Sequence, residues 1–478
     1  MILHLHALRA ARGRQIRARI RRPLARRRFP SGSPPREAAP IPLAEELWRS
    51  RAFAVAAPPD AATRLGRFHR QYGEDVLAAA RAGDVAETRR LVATWIEAHP
   101  PRNGDAWHPY PLSTRVGNWI AALTLVPELA SSELSDSLWR QLLHLERNLE
   151  EDVLGNHLIR NVRALVLGGA SFGAAELTRR GIEVLRRELA EQVLPDGGHY
   201  ERSPAYHLVV LRDLLEINAA SPHSWLGEAI ARMRVFASAL RRPDGAPALF
   251  NDGTVDAPEL ELPETSETLS VFPDAGFVVA RDGPLWLAFR CGPPSPEYLP
   301  AHAHADALSF QLWWEGRQVV ADPGAFTYEP GADRDWFRST RSHSTILVDG
   351  RDQFRLWGAF RSGPLPAVHL RYAREQAVEA SVVLPRRVRH VRRIEWSEDE
   401  VLVVDQLEGK GGHRVESRVV WAPGEPPAEL ELLGAGEAST EDAWISERFG
   451  ERVPSSAAVI RARIKLPASL GFRVRRLQ

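Results

Sequence analysis

The run His302-Ala303-His304-Ala305-Asp306, followed by Asp322 and then His343, gathers proton-transfer and metal-binding side chains in one short stretch of chain. In an extended strand alternate side chains share a face, so His302, His304 and Asp306 are expected to project together, with the alanines on the other side. Ala307 to Trp314 reads as a strand, Glu315-Gly316 as a turn and Arg317 to Ala321 as the return strand, a hairpin that carries Asp322 back toward His304. Two neutral imidazoles and a carboxylate are adequate zinc ligands, and His304, Asp322 and His343 offer such a set. An isolated His-x-His is more often a half-buried pair of hydrogen-bonded histidines; the added Asp322 and His343 move the reading toward chemistry. Spacing alone does not separate His302 from His304, because a strand can offer two alternate histidines to one metal.

Three further clusters are rich in polar groups. Gly155-Asn156-His157 opens an otherwise apolar helix; Asn156 suits a helix cap, and the adjacent amide and imidazole donors also suit a bound carboxylate. Asp196 to His207 packs titratable groups, among them Tyr200, Glu201 and Tyr206, into a Gly-rich loop and the following helix. Trp107 to Trp119 interleaves Tyr110, Arg115 and Trp119 with other hydrogen-bonding side chains, as sugar-binding clefts do, although core packing explains the tryptophans equally well.

The elements that must hold these residues divide in two. From about Ala44 to residue 245 the apolar spacing is helical, clearest at Leu134, Leu138, Leu142, Leu145 and Leu149 with Ser131 or Ser132 as cap; other helices are expected over 62–82, 84–98, 115–126, 158–168, 173–193 and 205–219. Beyond Pro243-Asp244-Gly245 the texture changes to short strands, including 275–281, 285–290, 307–321, 388–396 and 400–406. Helices first and strands second imply two segregated layers, with a β-sandwich burying the sheets and a cleft at the seam. At 478 residues the chain exceeds one typical core, and 44% apolar content supports a globular protein. Its one cysteine, Cys291, excludes an intramolecular disulfide or a thiolate metal cluster within the chain.

A net charge of +1 conceals a basic arm: residues 1–36 hold many arginines, including Arg26-Arg27-Arg28, and the first acidic residue is Glu37. The apolar run Met1 to Leu8 is too short, and on the wrong side of the charge, for a secretory signal. The arm is expected to be solvated and partly disordered, with an acidic partner or membrane surface as the functional alternatives. No segment reaches membrane-spanning length, and nothing in the folded part reads nucleic acid. A cytoplasmic place is preferred to a periplasmic one. The sequence does not set the oligomeric state.

These motifs together resemble the heparinase II/III-like polysaccharide lyases, a family that includes alginate lyases. The residues carrying the resemblance are Asn156-His157, Ser203-Pro204-Ala205-Tyr206-His207, His302-x-His304-x-Asp306, Asp322-Pro323-Gly324 and Arg338 to Thr345 leading to Val348-Asp349-Gly350. The resemblance implies an incomplete α/α toroid followed by an antiparallel β-sandwich. The boundaries expected are an arm and linker over 1–43, the toroid over 44–255 and the sandwich over 256–478. It implies Tyr206 and His302 as the catalytic pair, Asn156 and His157 as the groups that neutralise a uronate carboxylate, and His304, Asp322 and His343 as ligands of a structural zinc. Tyr110, Arg115, Trp119, Tyr200, Glu201, Tyr328, Arg338 and Arg341 are candidate substrate contacts, and Asp306 a candidate for fixing a histidine tautomer. Ser344 departs from the asparagine that often follows the zinc histidine. The implied reaction is β-elimination on an acidic polysaccharide such as a glycosaminoglycan or alginate, leaving a 4,5-unsaturated uronate. The alternatives are a glycoside hydrolase using Glu201 and Asp252, and a non-catalytic polysaccharide-binding protein of an assembly pathway.

Overall fold

The computed structural model describes residues 9–25, 29–43, 47, 60, 62–102, 104–425, 428–434 and 436–477. The tripeptide Arg26-Arg27-Arg28 and the run Met1 to Leu8 lie outside them. The helical half comprises α1 (Gly13–Ala25), α2 (Arg64–His69), α3 (Glu74–Arg81), α4 (Val85–Ala98), α5 (Pro109–Leu125), α6 (Ser132–Arg147), α7 (Gly155–Phe172), α8 (Ala175–Gln192), α9 (Pro204–Ala220) and α10 (Ser224–Ala239). Local chemistry sets the ends. Ser131 accepts from the Leu134 amide at the start of α6, Asp84 accepts from the Glu87 amide at the start of α4, and Ser203 caps α9 through the Tyr206 amide. The single helix expected over 62–82 is two helices, because Gly73 turns left-handed at φ 66° between them.

Helix α7 packs against α5, α8 and α9, with one face in the core around Leu158, Val162 and Val166 and the other around Ala164, Leu165 and Leu167. A helix buried on so much of its circumference has neighbours on several sides, as in a ring of helical hairpins.

The second half runs β1 (Leu269–Phe272), β2 (Phe277–Asp282), β3 (Leu285–Arg290), β4 (Phe310–Trp314), β5 (Arg317–Val320), α11 (Ala332–Arg338), β6 (Ile346–Val348), β7 (Leu356–Trp357), β8 (Arg361–Ser362), β9 (Val368–Arg374), β10 (Ala377–Val383), β11 (Arg389–Trp396), β12 (Glu400–Glu408), β13 (Gly412–Val420), β14 (Ala428–Leu433), β15 (Glu437–Ile445), β16 (Val453–Lys465) and β17 (Ala468–Arg476). Strands β1 to β5 form an antiparallel meander. The larger sheet runs β14-β17-β12-β11-β10-β9 and a smaller one β15-β16-β13-β6. Their inner faces share one core that includes Phe289, Phe310, Ile394, Val403, Val419 and Phe472, so this half is a β-sandwich and the whole an incomplete α/α toroid followed by an antiparallel sandwich.

The hairpin expected at Glu315-Gly316 is β4 and β5, with both turn residues left-handed at φ 50° and 73°. Phe236, Ala239 and Leu240 at the end of α10 pack on Phe277, Trp286 and Trp313 and fasten the halves together. No helix of the described residues is long and apolar enough to cross a membrane.

Candidate active site

The residues predicted to do chemistry meet at the seam between toroid and sandwich. Tyr206, in the first turn of α9, lies face to face with His302, with ring centroids 3.8 Å apart, and its hydroxyl shares a 2.8 Å hydrogen bond with that of Tyr328. Burial, reinforced by Tyr328 and Asp252, raises the Tyr206 phenol well above its ordinary pKa, so it carries its proton.

His302 does not stand on a strand. Residues 301–309 form an irregular loop, so the expected alternation of side chains fails there. His302 and His304 instead converge on one buried carboxylate: Asp252 Oδ2 lies 2.9 Å from His302 Nδ1, and its Oδ1 lies 2.9 Å from His304 Nε2. Arg334 donates to both oxygens, with Nη2 2.8 Å from Oδ2. Burial alone would raise the Asp252 carboxyl, but Arg334 and the two imidazoles outweigh it and hold it ionised. An ionised carboxylate only accepts, so each histidine donates the N–H facing it. In the neutral ring the lone pair then falls on His302 Nε2, 3.9 Å from Glu201 Oε2.

The tautomer-fixing role expected of Asp306 therefore belongs to Asp252. Asp306 turns away, its carboxylate 2.9 Å from Arg290 Nε and beside Asp322 and His343. Ligand atoms of Asp306, Asp322 and His343 lie within 4.8 Å of one another, all buried. His343 Nδ1 donates to the Ser339 carbonyl at 2.7 Å, which aims its Nε2 lone pair at His304 Nδ1, 3.3 Å away, and toward Asp322 Oδ2 at 4.0 Å. Two facing lone pairs and two neighbouring buried carboxylates repel one another unless a cation lies among them. Burial and then Asp306 push the Asp322 carboxyl well above the ordinary range. Burial also keeps His304 neutral, lowering its pKa to about 3. The donor set fits a divalent metal, with Asp306 a fourth candidate beside the three predicted ligands.

On the toroid side, Asn156 does not cap α7, which begins at Gly155 after Leu154. Its side-chain amide donates to Glu201 Oε1 and Oε2 at 3.3 and 3.0 Å, and its backbone N–H adds a bond to Oε1 at 3.2 Å. The Gly155 N–H donates to the Tyr200 hydroxyl at 2.9 Å. Gly155 has φ 58°, and a Cβ there would sit 1.8 Å from Glu201 Oε1, so only glycine lets this loop close on Glu201. Tyr200 and Glu201, both buried, thus hold Asn156 in place and are not open sugar contacts. His157 Nδ1 lies 3.2 Å from Glu150 Oε1, and its ring packs on Tyr110 at 4.2 Å. Burial would raise Glu150, but His157, His108 and Arg22 bring it down to about 2.

Three predicted substrate contacts lie elsewhere. Arg115 is fully buried, donating to Gln141, the Gln71 carbonyl and the Ala106 carbonyl, because a guanidinium sealed inside a helical core must spend its donors on the protein. Trp119 is equally sealed, edge-on to Trp95. Arg341 is 47% exposed beside Glu441 on the sandwich. Arg338 is a structural brace, bonding the Ala303, Gly358 and Ala359 carbonyls and so fixing the histidine loop. Ser344, where asparagine was expected, accepts from the Val420 N–H at 2.9 Å and pins the metal-side loop to β13. Asp252, Glu150 and Arg334 carry functional positions that the sequence reading did not assign; Asp252 appeared there only as a hydrolase acid.

At the seam of the toroid and the sandwich a phenol from one half stacks on a carboxylate-held imidazole from the other. The chain belongs to the heparinase II/III-like family: the Heparinase II/III N-terminus profile matches residues 88–278 and the Heparinase II/III-like, C-terminal profile matches residues 264–471. Among curated relatives it is similar to a heparin-sulfate lyase of Bacteroides stercoris, 25% identical over 294 residues, covering 52% of this chain and 44% of that protein. It is also similar to the FtsZ-localized protein C of Caulobacter vibrioides, 26% identical over 296 residues, covering 58% of this chain and 50% of that one. These matches span about half the length of the relatives. The fold resembles a crystal structure of heparinase III at a TM-score of 0.72 and 16% identity, covering 88% of this chain and 78% of that one.

Proposed function

We propose that the protein cleaves a uronate-containing polysaccharide by β-elimination, with His302 as base and Tyr206 as acid. The observation that carries this reading is the stacked Tyr206–His302 pair, one ring keeping its proton and the other presenting a lone pair fixed by Asp252. His302 Nε2 takes the C5 proton, and the C–H electrons move toward the carboxylate as an enolate. They then form the C4–C5 double bond as the C4–O bond breaks, and the leaving oxygen takes the Tyr206 proton, which Tyr328 is placed to replace. Asn156 and His157, held by Glu201 and Glu150, stabilise the charge that builds on the sugar carboxylate.

Neighbouring rings act on one side of the sugar, which favours a uronate whose C5 hydrogen and C4 oxygen share a face, as in a glucuronate. The relatives' heparin-sulfate lyase names favour a glycosaminoglycan over alginate. Zinc held by His304, Asp322 and His343, with Asp306 beside them, would serve structure, bracing the loop that bears His302.

A hydrolase reading is disfavoured because Asp252 is ionised, buried and occupied by three side chains, so it has no proton to give. The test is purified protein incubated with heparan sulfate, hyaluronan, chondroitin and alginate. Ultraviolet absorbance from a conjugated uronate supports the reading, while reducing ends without absorbance, or binding without turnover, overturn it. The FtsZ-localized relative is named for a place rather than a reaction, and the same assay separates turnover from binding alone.

A further inference from the structure

The basic arm, expected to be a solvated tail, is in part a docked helix. One side of α1 faces the protein: Gln15 is buried and donates to the carbonyls of Asp152 and Tyr298, at 3.5 and 3.4 Å. Arg14 pairs with Glu188 and Glu191. Arg22 pairs with Asp152 and places Nη2 3.2 Å from His108 Nε2 and 3.7 Å from Glu150 Oε1, the carboxylate that holds His157. At the other end the Arg12 guanidinium lies over the Tyr298 ring, 4.0 Å from its centroid, in the loop that leads to His302. The helix therefore runs from the wall that carries His157 to the loop that carries His302, covering an acidic rim of Glu150, Asp152, Glu188 and Glu191.

Two properties of this helix matter for an anionic chain. Its inward arginines neutralise four carboxylates that would repel a polyanion from the seam. Its outward side keeps Arg17 and Arg21 exposed one turn apart, with Arg19 exposed on the other flank, and among the described residues no carboxylate pairs with any of the three. Unpaired guanidiniums spaced by one helical turn suit the carboxylates and sulfates of successive sugars.

We propose that α1 is a cationic rail for the polysaccharide beyond the residues being cleaved, binding the part of a long anionic chain that extends past the seam. The proposal rests on the reading of the seam as a uronate-polymer site and adds to it a contact that short substrates do not reach.

The test is equilibrium binding by the full chain carrying Arg17→Glu and Arg21→Glu together, with Arg17→Gln and Arg21→Gln as a milder pair. The probes are fluorescein-labelled long-chain heparan sulfate, a tetrasaccharide from the same polymer and phosphatidylserine vesicles. The Glu pair is expected to bind the long chain about tenfold more weakly at low salt, the Gln pair less so, with tetrasaccharide affinity and melting temperature unchanged. Unchanged long-chain affinity, an equal loss for the tetrasaccharide, or wild-type binding to vesicles in preference to polymer would each overturn it. Binding needs no turnover, so a wild type that makes no unsaturated product sinks the elimination reading without touching this result. A wild type that does make it, beside a Glu pair with undiminished long-chain affinity, sinks the rail alone.

Discussion

Tyr206 and His302 come from opposite halves of the molecule and stack at 3.8 Å, so neither half holds the proposed acid-base pair alone. Removing one hydroxyl tests the pairing with least disturbance. Tyr206→Phe keeps the ring against His302 and is expected to lower kcat by about 10² to 10⁴ while melting stays within about 1 °C of wild type. Because the Tyr206 phenol titrates well above its ordinary range, any fall in activity between pH 8 and about 10 belongs to another group, and Tyr328→Phe should leave the position of that limb unchanged. Kinetics across pH on both variants would settle it.

Asp252 serves two imidazoles and a guanidinium at once. In Asp252→Asn the amide presents donors where donors already point, so His302 loses its enforced tautomer and turnover is expected to fall by on the order of 10³ to 10⁴. Asp252→Ala leaves the buried Arg334 guanidinium without its carboxylate, keeping only the Ala359 carbonyl, a loss of about 3 to 5 kcal/mol that urea unfolding would read. An Asn variant with wild-type turnover would contradict the arrangement.

A cation among His304, Asp322, His343 and Asp306 would relieve crowded lone pairs and carboxylates, so its removal should act on stability first. His304→Ala, and treatment of the wild type with a chelator, are expected to lower both bound metal and melting temperature, whereas Tyr206→Phe changes neither. Elemental analysis beside thermal melting distinguishes these outcomes, and a wild type purified without metal would count against zinc.

Acid sensitivity should begin early. Burial lowers His199 to about 4 and His207 to about 3, while both titrate near 6.5 once unfolded. Both are neutral when folded, so the unfolded chain takes up their protons first as pH falls. Their contribution is fully present above about pH 6.5 and is lost as pH falls toward 3, by on the order of several kcal/mol together. Denaturant midpoints between pH 8 and pH 4 should fall steadily from about 6.5. A flat profile across that range would contradict the burial of these rings.

Two arginines of similar appearance in the sequence should behave oppositely. Arg115→Ala leaves three acceptors, two of them buried, without their donor and should destabilise the toroid by about 3 kcal/mol or more. Arg341→Ala, on an exposed side chain 4.0 Å from Glu441, should leave stability within about 0.5 kcal/mol and turnover unchanged. Parallel unfolding and activity measurements make the comparison.

What the sequence revealed, and what it hid, follows from the range of each interaction. Ser131 could be read as a cap and Glu315-Gly316 as a turn because their partners lie within a few residues. Leu138, Leu142 and Leu145 betrayed α6 by periodicity alone. The histidine loop was legible in its residue types but not in its shape, because alternating alanines mimic a strand while Arg338 and Asn251 hold the backbone irregular from a distance. Glu150 drew no attention and Asp252 stood only as a hydrolase acid because the imidazoles they hold, His157, His302 and His304, come from other positions along the chain. Arg115 and Arg338 were misread for the converse reason: a guanidinium that binds sugar and one that binds carbonyls are identical on paper. The arginines of α1 looked like a tail because their acidic partners are scattered between Glu150 and Glu191.

Asn251 is buried in the left-handed region at φ 58°; its amide donates to the carbonyls of Arg202 and Pro294, both at 3.0 Å, and its oxygen accepts from the His304 N–H at 3.0 Å. One side chain thus clasps the tyrosine-bearing segment, the loop before the histidines and the histidines themselves. Exchanging the sandwich of this chain for a foreign one would therefore break the joint unless this asparagine and the backbone groups it holds travelled together.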